Sequence, residues 1–431
     1  MPRYRIAIVG AGPAGYFAAQ ALHNLRNEEH DFAIDMFEKL PTPWGLVRSG
    51  VAPDHPKIKS VSKVFEKVAS ADDFRLLANV NVGVDISLDE LKSAYDAVVL
   101  AIGTPRGRRL GIPGEELENV ISSADFVYWY NGHPEYRDLN VDLSGTRAVV
   151  IGAGNVAIDV GRMLAIDPSE LDSTDTADHA LKALHSSSIR DVHVVARRGA
   201  ESAAFTSPEL RELPDIESVA VKIDKSDIES ALERSGHAPE KHVKSNLDAM
   251  NLIATTSSKN RSRTLRFLFE HKPSSINGSK RVESVTFNTP QGQVQVPCDL
   301  VITAIGYLPL EFSGLSVKEN HYENKDGWIS DNLYVVGWAK RGPQGVIGTN
   351  KSDAAGVVQN LVHNLVSPKK YVDIIPQLVK RGVQVVLQHD WNKIDNAEVE
   401  NGNSLGRPRL KFTSVAEMIR VCHGVDEIVE Q

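Results

Sequence analysis

Cysteine and long apolar runs are both scarce in this 431-residue sequence. The two cysteines, Cys298 and Cys422, lie far apart, without a CxxC motif or a cluster of histidines around them. This spacing argues against a disulfide scaffold, a zinc site and an iron–sulfur site, so no bound metal is expected. No apolar run approaches the roughly 18 residues that a membrane-spanning helix needs. We therefore expect no membrane span.

An excess of basic charge is also missing. Lys and Arg number 48 against 56 Asp and Glu, which gives a net charge of -8 and argues against bulk binding to nucleic acid. With 42% hydrophobic and 24% charged residues, the chain has the composition of a globular protein. The strand pattern Arg5–Val9 follows the first residues directly and leaves no room for a signal or transit peptide. We therefore expect a cytoplasmic protein, or a processed protein of the mitochondrial matrix.

Short apolar runs alternate with helical patterns along the chain, which predicts a parallel α/β fold. A strand, a glycine turn and a helix follow one another twice, at Ile6–Leu25 and Ala148–Ile166. Such a repeat predicts two Rossmann-like dinucleotide-binding units. The stretch Asp167–Ser188, rich in Ser, Thr and Asp, is expected to be a helical insertion on the surface.

The first glycine turn has the spacing of a dinucleotide-binding fingerprint. Gly10 would permit the tight turn, Gly12 would let the backbone approach a pyrophosphate, and Gly15 would let the helix pack closely on the strand. The next strand ends at Glu38, where an acid binds a ribose diol. The alternative is a chance glycine turn with a solvated glutamate.

The second turn repeats the pattern with Ala157 in place of the third glycine. The strand that follows, Asp191–Ala196, ends in Arg197 and Arg198, where the first unit has an acid. Two guanidinium groups suit a 2′-phosphate and so favour NADP over NAD. A solvated basic pair is the alternative. Because hydride transfer needs an acceptor beside the nicotinamide, the two units together suggest a flavoenzyme with FAD in the first unit and NADP(H) in the second.

Three long segments resemble the adrenodoxin reductase family, the NADPH:ferredoxin oxidoreductases of mitochondria and actinobacteria. They are Leu40–Lys57, Gly152–Asp159 and Val336–Lys351. The resemblance implies two Rossmann-like domains, with an NADP domain (residues 104–330) inserted into an FAD domain made of residues 1–103 and 331–431.

The resemblance also implies which positions contact the cofactors. The FAD positions are Ala14, Glu38, Leu46, Val82, Trp338, Gly345, Val346 and Ile347. The NADP positions are Arg108, Ala153, Gly154, Asn155, Val156, Arg197, Arg198, Glu209 and Gly345. By the same resemblance, His55 and Glu212 move protons at the flavin with Asp159 nearby, a role that suits a histidine near neutral pH.

Each of these roles has an ordinary structural alternative. The glycines of Gly342–Gly348 would either aim backbone N–H groups at the flavin or only cap the following helix. Trp338 would shield a flavin face or lie in the core. Arg108 would bind pyrophosphate or belong to an exposed linker. His55 would be catalytic or bonded within its turn, and Glu212 would be catalytic or solvated.

The sequence thus predicts an FAD-dependent NADPH:ferredoxin oxidoreductase. A hydride would pass from NADPH to FAD, and single electrons would pass to a small iron–sulfur protein that binds transiently. The resemblance makes Arg211, Lys241 and Lys244 candidates for its docking face, or else they are ordinary solvated charges. The alternatives are a flavin-dependent NADPH oxidase or monooxygenase, which oxygen consumption would reveal, and a non-catalytic dinucleotide-binding scaffold.

Overall fold

The computed structural model describes residues 3–236, 239–256, 261–312 and 314–424. Residues 1–2 and 425–431 of the predicted FAD domain lie outside this range. The β-strands are β1 Arg3–Val9, β2 Asp31–Phe37, β3 Phe74–Leu77, β4 Ala97–Leu100, β5 Arg106–Gly107, β6 Val120–Ser122, β7 Arg147–Ile151, β8 Asp191–Val195, β9 Val219–Lys222, β10 Arg263–Leu268, β11 Lys272–Asn277, β12 Ser284–Thr289, β13 Gly292–Pro297, β14 Leu300–Thr303, β15 Tyr307–Leu308, β16 Val317–Lys318, β17 His321–Tyr322, β18 Trp328–Ser330 and β19 Leu333–Val335.

The α-helices are α1 Pro13–Asn24, α2 Leu46–Ser49, α3 Pro56–Lys59, α4 Ser62–Ala69, α5 Leu88–Ala94, α6 Ser123–Tyr130, α7 Asn155–Ala165, α8 Asp178–His185, α9 Ser207–Glu212, α10 Lys225–Ser235, α11 Lys241–Thr255, α12 Trp338–Arg341, α13 Thr349–His363, α14 Ile375–Lys380, α15 Gln388–Asn403 and α16 Val415–His423. Short 3₁₀ turns cover Pro134–Tyr136, Pro168–Leu171, Ala200–Ser202 and Leu213–Asp215. None of the helices in the described ranges combines the length and apolarity that crossing a membrane requires.

The chain divides into two units. Met1–Arg106 and Tyr307–Gln431 form one, called the flanking unit below, and Gly107–Gly306 form the other, called the inserted unit. The predicted boundaries therefore differ from the structural division, slightly at 103/104 and substantially at 330/331. Residues 307–330 belong to the flanking unit. Tyr322 lies in one apolar cluster with Val9 and Phe37, and β18 pairs with β19, which in turn pairs with β4 of the flanking sheet.

The flanking unit is built on a six-stranded sheet with the order β18-β19-β4-β1-β2-β3. Its strands pair in parallel except for β18, which runs antiparallel to β19. Residues of β1 alternate between two apolar clusters: Ile6 and Ile8 belong to one, and Ala7 and Val9 to the other. This alternation is what a strand covered on both faces requires.

The inserted unit has a second six-stranded sheet with the order β6-β14-β7-β8-β10-β9, and all of its pairings are parallel. A separate antiparallel sheet contains β11, β12 and β13. In both six-stranded sheets a glycine turn follows an inner strand at its carboxyl end and leads into a helix. Ligands of open parallel sheets bind at this edge.

The stretch Asp167–Ser188 is helical, but it is not a surface addition as the sequence suggested. Leu171, Ala180 and Leu184 are at most 2% exposed and belong to the main apolar cluster of the inserted unit. The polar residues between them misled the surface prediction because only every third or fourth residue of a helix needs to be apolar to reach a core.

Candidate functional site

The first glycine turn closes tightly at the end of β1. The Gly10 N–H donates to the Phe37 carbonyl at 2.7 Å, with φ of Gly10 at +109°. A Cβ at Gly10 would lie 2.6 Å from the Ala101 carbonyl oxygen, and one at Gly15 would lie 2.1 Å from the Gly10 oxygen. Both positions therefore require glycine, for the turn and for the contact of helix with strand.

The start of α1 leaves backbone N–H groups available beside this turn. Gly12 is the N-cap of α1, and Pro13 occupies the first helical position, where a missing N–H costs nothing. The N–H groups of Ala14 and Gly15 have no partner within the helix. Together with the helix dipole they form an anion-binding end, which fits the pyrophosphate of a dinucleotide.

Glu38 directly follows β2 and reaches back to this turn. Its Oε2 accepts a hydrogen bond from the Ala11 N–H at 3.0 Å, and its Oε1 accepts one from the Leu40 N–H at 3.2 Å. Burial raises the pKa of Glu38, an effect that these N–H groups oppose. The carboxylate is thus placed at the sheet edge, where a ribose diol would be recognised.

The segment Trp44–Leu46 packs against the same turn. The Trp44 N–H donates to the Ala11 carbonyl at 2.7 Å. Gly45 approaches so closely that a Cβ on it would lie 2.9 Å from the Gly12 Cα. Leu46 follows Gly45 directly and is the first residue of α2, so the start of α2 also lies beside the turn.

A second part of the flanking unit reaches the start of α1. Gly337 precedes α12, and a Cβ on it would lie 2.6 Å from the Ala14 Cβ. The Gly337 N–H donates to Asp353 Oδ2 at 2.7 Å, and Lys340 Nζ donates to Oδ1 at 2.8 Å. This carboxylate fixes α12, and with it Trp338, beside the glycine turn.

The run Gly342–Gly348 is held by side chains on either side of it. Trp338 Nε1 donates to the Gln344 carbonyl at 3.2 Å, and the Val346 N–H donates to Thr349 Oγ1 at 3.2 Å. Asn350 Nδ2 donates to the Ile347 carbonyl at 3.0 Å. The run is therefore an ordered loop and not only a cap of α13.

Trp338 is not a core residue. It is partly exposed, and its ring stacks on Tyr307 with a centroid distance of 5.7 Å. Val82, by contrast, is only 7% exposed and lies in one apolar cluster with Val9 and Phe37. Val82 thus packs below the turn, among the residues that end β1 and β2.

The second glycine turn has a different packing solution. A Cβ at Gly152 would lie 2.2 Å from the Ala304 oxygen, whereas one at Gly154 would meet nothing within 4 Å. Ala157 occupies the third fingerprint position and is fully buried. The close contact between helix and sheet occurs one helical turn later, at Gly161, where a Cβ would lie 2.9 Å from Val194.

The strand registers show which positions of the two turns are equivalent. Val9 pairs with Phe37 in the flanking sheet, and Ile151 pairs with Val195 in the inserted sheet. The residue after Phe37 is Glu38, but the residue after Val195 is Ala196. The basic pair therefore follows the position of the acid by one residue, and this corrects the sequence-based alignment.

Ala196 stands at the position of the second turn that is equivalent to Glu38, so that position carries no acid. It is 4% exposed, whereas Arg197 and Arg198 are both exposed. The Arg198 side chain donates a long hydrogen bond from Nη2 to the Ser202 carbonyl at 3.4 Å, and the Arg198 carbonyl accepts one from the Glu270 N–H at 3.0 Å. Sequence reasoning noticed the arginines and missed the alanine.

A segment that sequence reasoning did not anticipate covers the second turn. The Ala204 N–H donates to the Ala153 carbonyl at 2.7 Å, and the Thr206 N–H donates to Asn155 Oδ1 at 2.8 Å. A cavity of about 540 Å³ lies beside this segment. Its lining residues are 201–208, His242 and Asn246.

Comparisons with known proteins found a matching family model and similar reductases. A family model described as pyridine nucleotide-disulphide oxidoreductase matches residues 4–199. The NADPH-ferredoxin reductase FprA of Mycobacterium tuberculosis is 43% identical over 453 aligned residues, which cover 98% of this chain and 99% of FprA. The mitochondrial NADPH:adrenodoxin oxidoreductase of Salvelinus fontinalis is 36% identical, over 97% of this chain and 91% of that protein.

A solved structure of Mycobacterium tuberculosis FprA in complex with NADPH superimposes with a TM-score of 0.94 at 42% identity, covering 98% of this chain and all of FprA. The chain belongs to the adrenodoxin reductase-type NADPH:ferredoxin oxidoreductase family. This confirms the predicted family, the fold of two dinucleotide-binding domains, the oxidoreductase class, and FAD and NADP(H) as cofactors.

The name of the matching family model refers to disulphide chemistry, which the two cysteines of this reductase do not fit. Both cysteines are buried free thiols, Cys298 in the inserted unit and Cys422 in the flanking unit. Burial raises the pKa of Cys298 to about 12 and that of Cys422 to about 11. Neither is activated as a thiolate.

The acid/base candidates of this reductase lie on two different helices and directly before a third. His55 precedes α3, and its backbone N–H donates to the Ala52 carbonyl at 3.0 Å. Glu209 and Glu212 lie on α9, and Asp159 lies on α7, which packs against α9.

Arg162 Nη2 lies 3.0 Å from Asp159 Oδ1, while Glu212 is exposed. Arg108 is exposed, and its backbone N–H donates to the Gly306 carbonyl at 2.9 Å.

The three candidate docking residues of this reductase are exposed on two helices that pack together. Arg211 lies on α9, and Lys241 and Lys244 lie on α11. Their neighbours in sequence include the exposed acids Glu212 and Asp248. The surface carries mixed charge, so a purely basic face is not what this part of the inserted unit offers.

Proposed function

We propose that this chain is an FAD-dependent NADPH:ferredoxin oxidoreductase, with FAD bound by the flanking unit and NADPH by the inserted unit. When bound, FAD accepts a hydride from NADPH and releases the two electrons one at a time. The chain's task is to bind and orient the two dinucleotides, to limit water access and to handle protons.

One observation carries this assignment of cofactors to units. At register-equivalent positions the flanking unit has Glu38, and the inserted unit has Ala196 followed by Arg197 and Arg198. A carboxylate suits a ribose diol and repels a 2′-phosphate, whereas two guanidinium groups bind the phosphate. This supports a dinucleotide without a 2′-phosphate in the first unit and NADP(H) in the second.

In the flanking unit, the N–H groups at the start of α1 would hold the pyrophosphate and Glu38 would hold the ribose. Trp338, half-exposed beside the start of α1, would cover part of the flavin. The backbone N–H groups of Gly345 and Ile347 would support negative charge on its ring, whereas the Val346 N–H donates to Thr349 Oγ1. The full set of proposed FAD residues is Gly10, Gly12, Ala14, Gly15, Glu38, Leu46, Val82, Trp338, Gly345, Val346 and Ile347.

In the inserted unit, the open space at Gly154 and the N–H groups at the start of α7 would receive the pyrophosphate of NADP(H). The full set of proposed NADP residues there is Arg108, Ala153, Gly154, Asn155, Val156, Arg197, Arg198 and Glu209.

For proton movement we propose His55, Glu212 and Asp159, because a histidine exchanges protons most readily near neutral pH.

The proposed electron acceptor is a small iron–sulfur ferredoxin that binds transiently, as redox partners commonly do. The names of the mycobacterial and fish relatives support a carrier of this kind. We propose Arg211, Lys241 and Lys244 as contributors to its docking surface. The identity with mycobacterial proteins also supports a cytoplasmic location.

The experiment is a steady-state assay of the purified protein with a bacterial ferredoxin, using NADPH or NADH as donor and recording oxygen consumption in parallel. We expect rapid ferredoxin reduction with NADPH, much slower reduction with NADH, and little oxygen uptake. Oxygen uptake that outpaces ferredoxin reduction would instead favour an oxidase or monooxygenase. Flavin-loaded protein with no turnover would favour a scaffold.

A further inference from the structure

A buried cluster of charged side chains lies beside residues 44–46, which pack against the first glycine turn. Two of its three members, Glu398 and Arg409, lie far from that turn in the sequence. Glu398, on α15, has no exposed surface. It accepts hydrogen bonds from both arms of Arg48, the Nη1–Oε2 bond measuring 2.7 Å, and one from Arg409 Nη1 at 3.1 Å. We call Arg48, Glu398 and Arg409 the Glu398 cluster.

The cluster is charged despite its burial. Burial opposes ionisation of Glu398, but the charges of Arg48 and Arg409 outweigh it and hold the pKa of this carboxyl below its ordinary value. The Phe412 N–H adds a hydrogen bond to Oε1 at 2.9 Å, and Asp395 pairs with Arg409 at 2.6 Å. Removing one member of such a buried set leaves uncompensated charge and strongly perturbs the site.

The Glu398 cluster also fixes the indole of Trp44. The Trp44 and Trp391 rings meet edge to face with centroids 5.1 Å apart. The Arg409 guanidinium lies over the Trp44 ring at 5.2 Å, and the Arg48 guanidinium lies over the Trp391 ring at 5.7 Å. Each tryptophan is therefore held by one arginine of the cluster.

Trp44 needs this anchoring because its backbone is strained. Its φ is +82°, in the left-handed region that bulky residues rarely adopt. Such a conformation persists only where the surroundings enforce it. The same backbone donates to Ala11, and the next residue, Gly45, contacts Gly12, so the strained segment shapes the glycine turn.

We propose that Glu398 is a positioning residue for FAD. Its cluster holds residues 44–46 against the first glycine turn and thereby keeps the pyrophosphate-binding backbone in its geometry. The inference rests on the proposed binding of FAD by the flanking unit. It assigns a role in cofactor retention to α15, which supplies no residue of the turn itself.

The test substitutes Glu398→Gln in the holoenzyme and measures how fast FAD leaves after dilution, by the rise in flavin fluorescence. We expect release at least tenfold faster than in the unsubstituted protein, and a changed visible flavin spectrum. The thermal midpoint of the apoprotein is recorded as well, so that loss of cofactor can be compared with loss of stability.

The matched control is Asp73→Asn. Asp73 is also buried, and it pairs with Arg26 and with His23 at 3.0 Å. These partners lie at the far end of α1, roughly 16 Å along the helix from the turn at 1.5 Å per residue. We expect Asp73→Asn to lower apoprotein stability while FAD release stays within twofold of the unsubstituted rate.

Asp395→Asn is the second variant, in case Glu398→Gln does not fold. It removes one charged partner of Arg409 and leaves Glu398 in place, and we expect about threefold faster FAD release with a smaller loss of apoprotein stability than in Asp73→Asn. FAD release at the unsubstituted rate in the variants of Glu398 and Asp395 overturns the inference, as does equal acceleration by Asp73→Asn. An unsubstituted protein that binds no FAD would overturn the proposed function instead.

Discussion

The two arginines after β8 determine the expected coenzyme preference, so replacing them gives a quantitative test. In the double variant Arg197→Ala/Arg198→Ala we expect kcat/KM for NADPH to fall sharply and kcat/KM for NADH to stay unchanged. Only the 2′-phosphate distinguishes the two coenzymes, and these side chains are the ones proposed to bind it.

The magnitude follows from the exposure of the two side chains. A hydrogen bond to a charged group contributes about 1.5–3 kcal/mol and an exposed ion pair about 0.2–1 kcal/mol, so an arginine partly shielded by the bound coenzyme is expected to contribute about 1–2 kcal/mol. Two arginines then contribute about 2–4 kcal/mol, which corresponds to roughly 30- to 1,000-fold in kcat/KM. Because the hydrogen bond of the Arg198 side chain to the Ser202 carbonyl is long, at 3.4 Å, its loss should cost the folded state little stability.

The assay measures steady-state ferredoxin reduction over a range of NADPH and NADH concentrations at two salt concentrations. Arg137→Ala serves as the control, because Arg137 is an exposed residue of the inserted unit that pairs only loosely with Asp138, at 4.0 Å. A loss below about fivefold with NADPH, or an equal loss with NADH, would refute the reasoning. Higher salt should narrow the preference of the unsubstituted protein.

Further predictions follow from the packing of the turns and from one ion pair. Gly15→Ala should prevent FAD binding, since its Cβ would lie 2.1 Å from a backbone oxygen. Gly12→Ala, whose Cβ would have its nearest contact at 3.8 Å, should weaken FAD binding and leave the stability of the apoprotein unchanged. Flavin content and thermal melting measure both effects. Ala196→Glu should lower kcat/KM for NADPH at least tenfold relative to NADH through like-charge repulsion. The hydrogen bond from His193 lowers the pKa of Asp191 to about 2, so its stabilisation is present above about pH 4 and is lost as pH falls towards 2. Asp191→Asn should therefore flatten this part of the urea-midpoint profile.

The sequence predicted the glycine turns well because their constraints are local. The roles of Gly10 and Gly15 follow from spacing, and in the structure a backbone oxygen would lie within 2.6 Å of a Cβ at either position. The position of Glu38 after its strand is equally local. Ala196 was missed because a strand's end, and hence the equivalent position, is defined only by pairing with its neighbour.

Long-range packing is what the sequence could not supply. The polar pattern of Asp167–Ser188 hid the buried side chains of Leu171, Ala180 and Leu184. The predicted boundary at 330/331 differs from the structural division because Tyr322 packs in an apolar cluster of the flanking unit and β18 pairs with β19. Glu398 lies 350 positions from Arg48, and no local pattern marks a buried ion pair of that separation. The left-handed backbone of Trp44 is hidden for the same reason.

The most direct measurement is an anaerobic titration of the purified holoenzyme with NADPH, and separately with NADH, followed by its visible absorbance. The account predicts a flavin spectrum that bleaches with NADPH far more readily than with NADH and recovers when oxidised ferredoxin is added. A colourless protein that takes up no FAD, or a flavin bleached equally by both coenzymes, would contradict it.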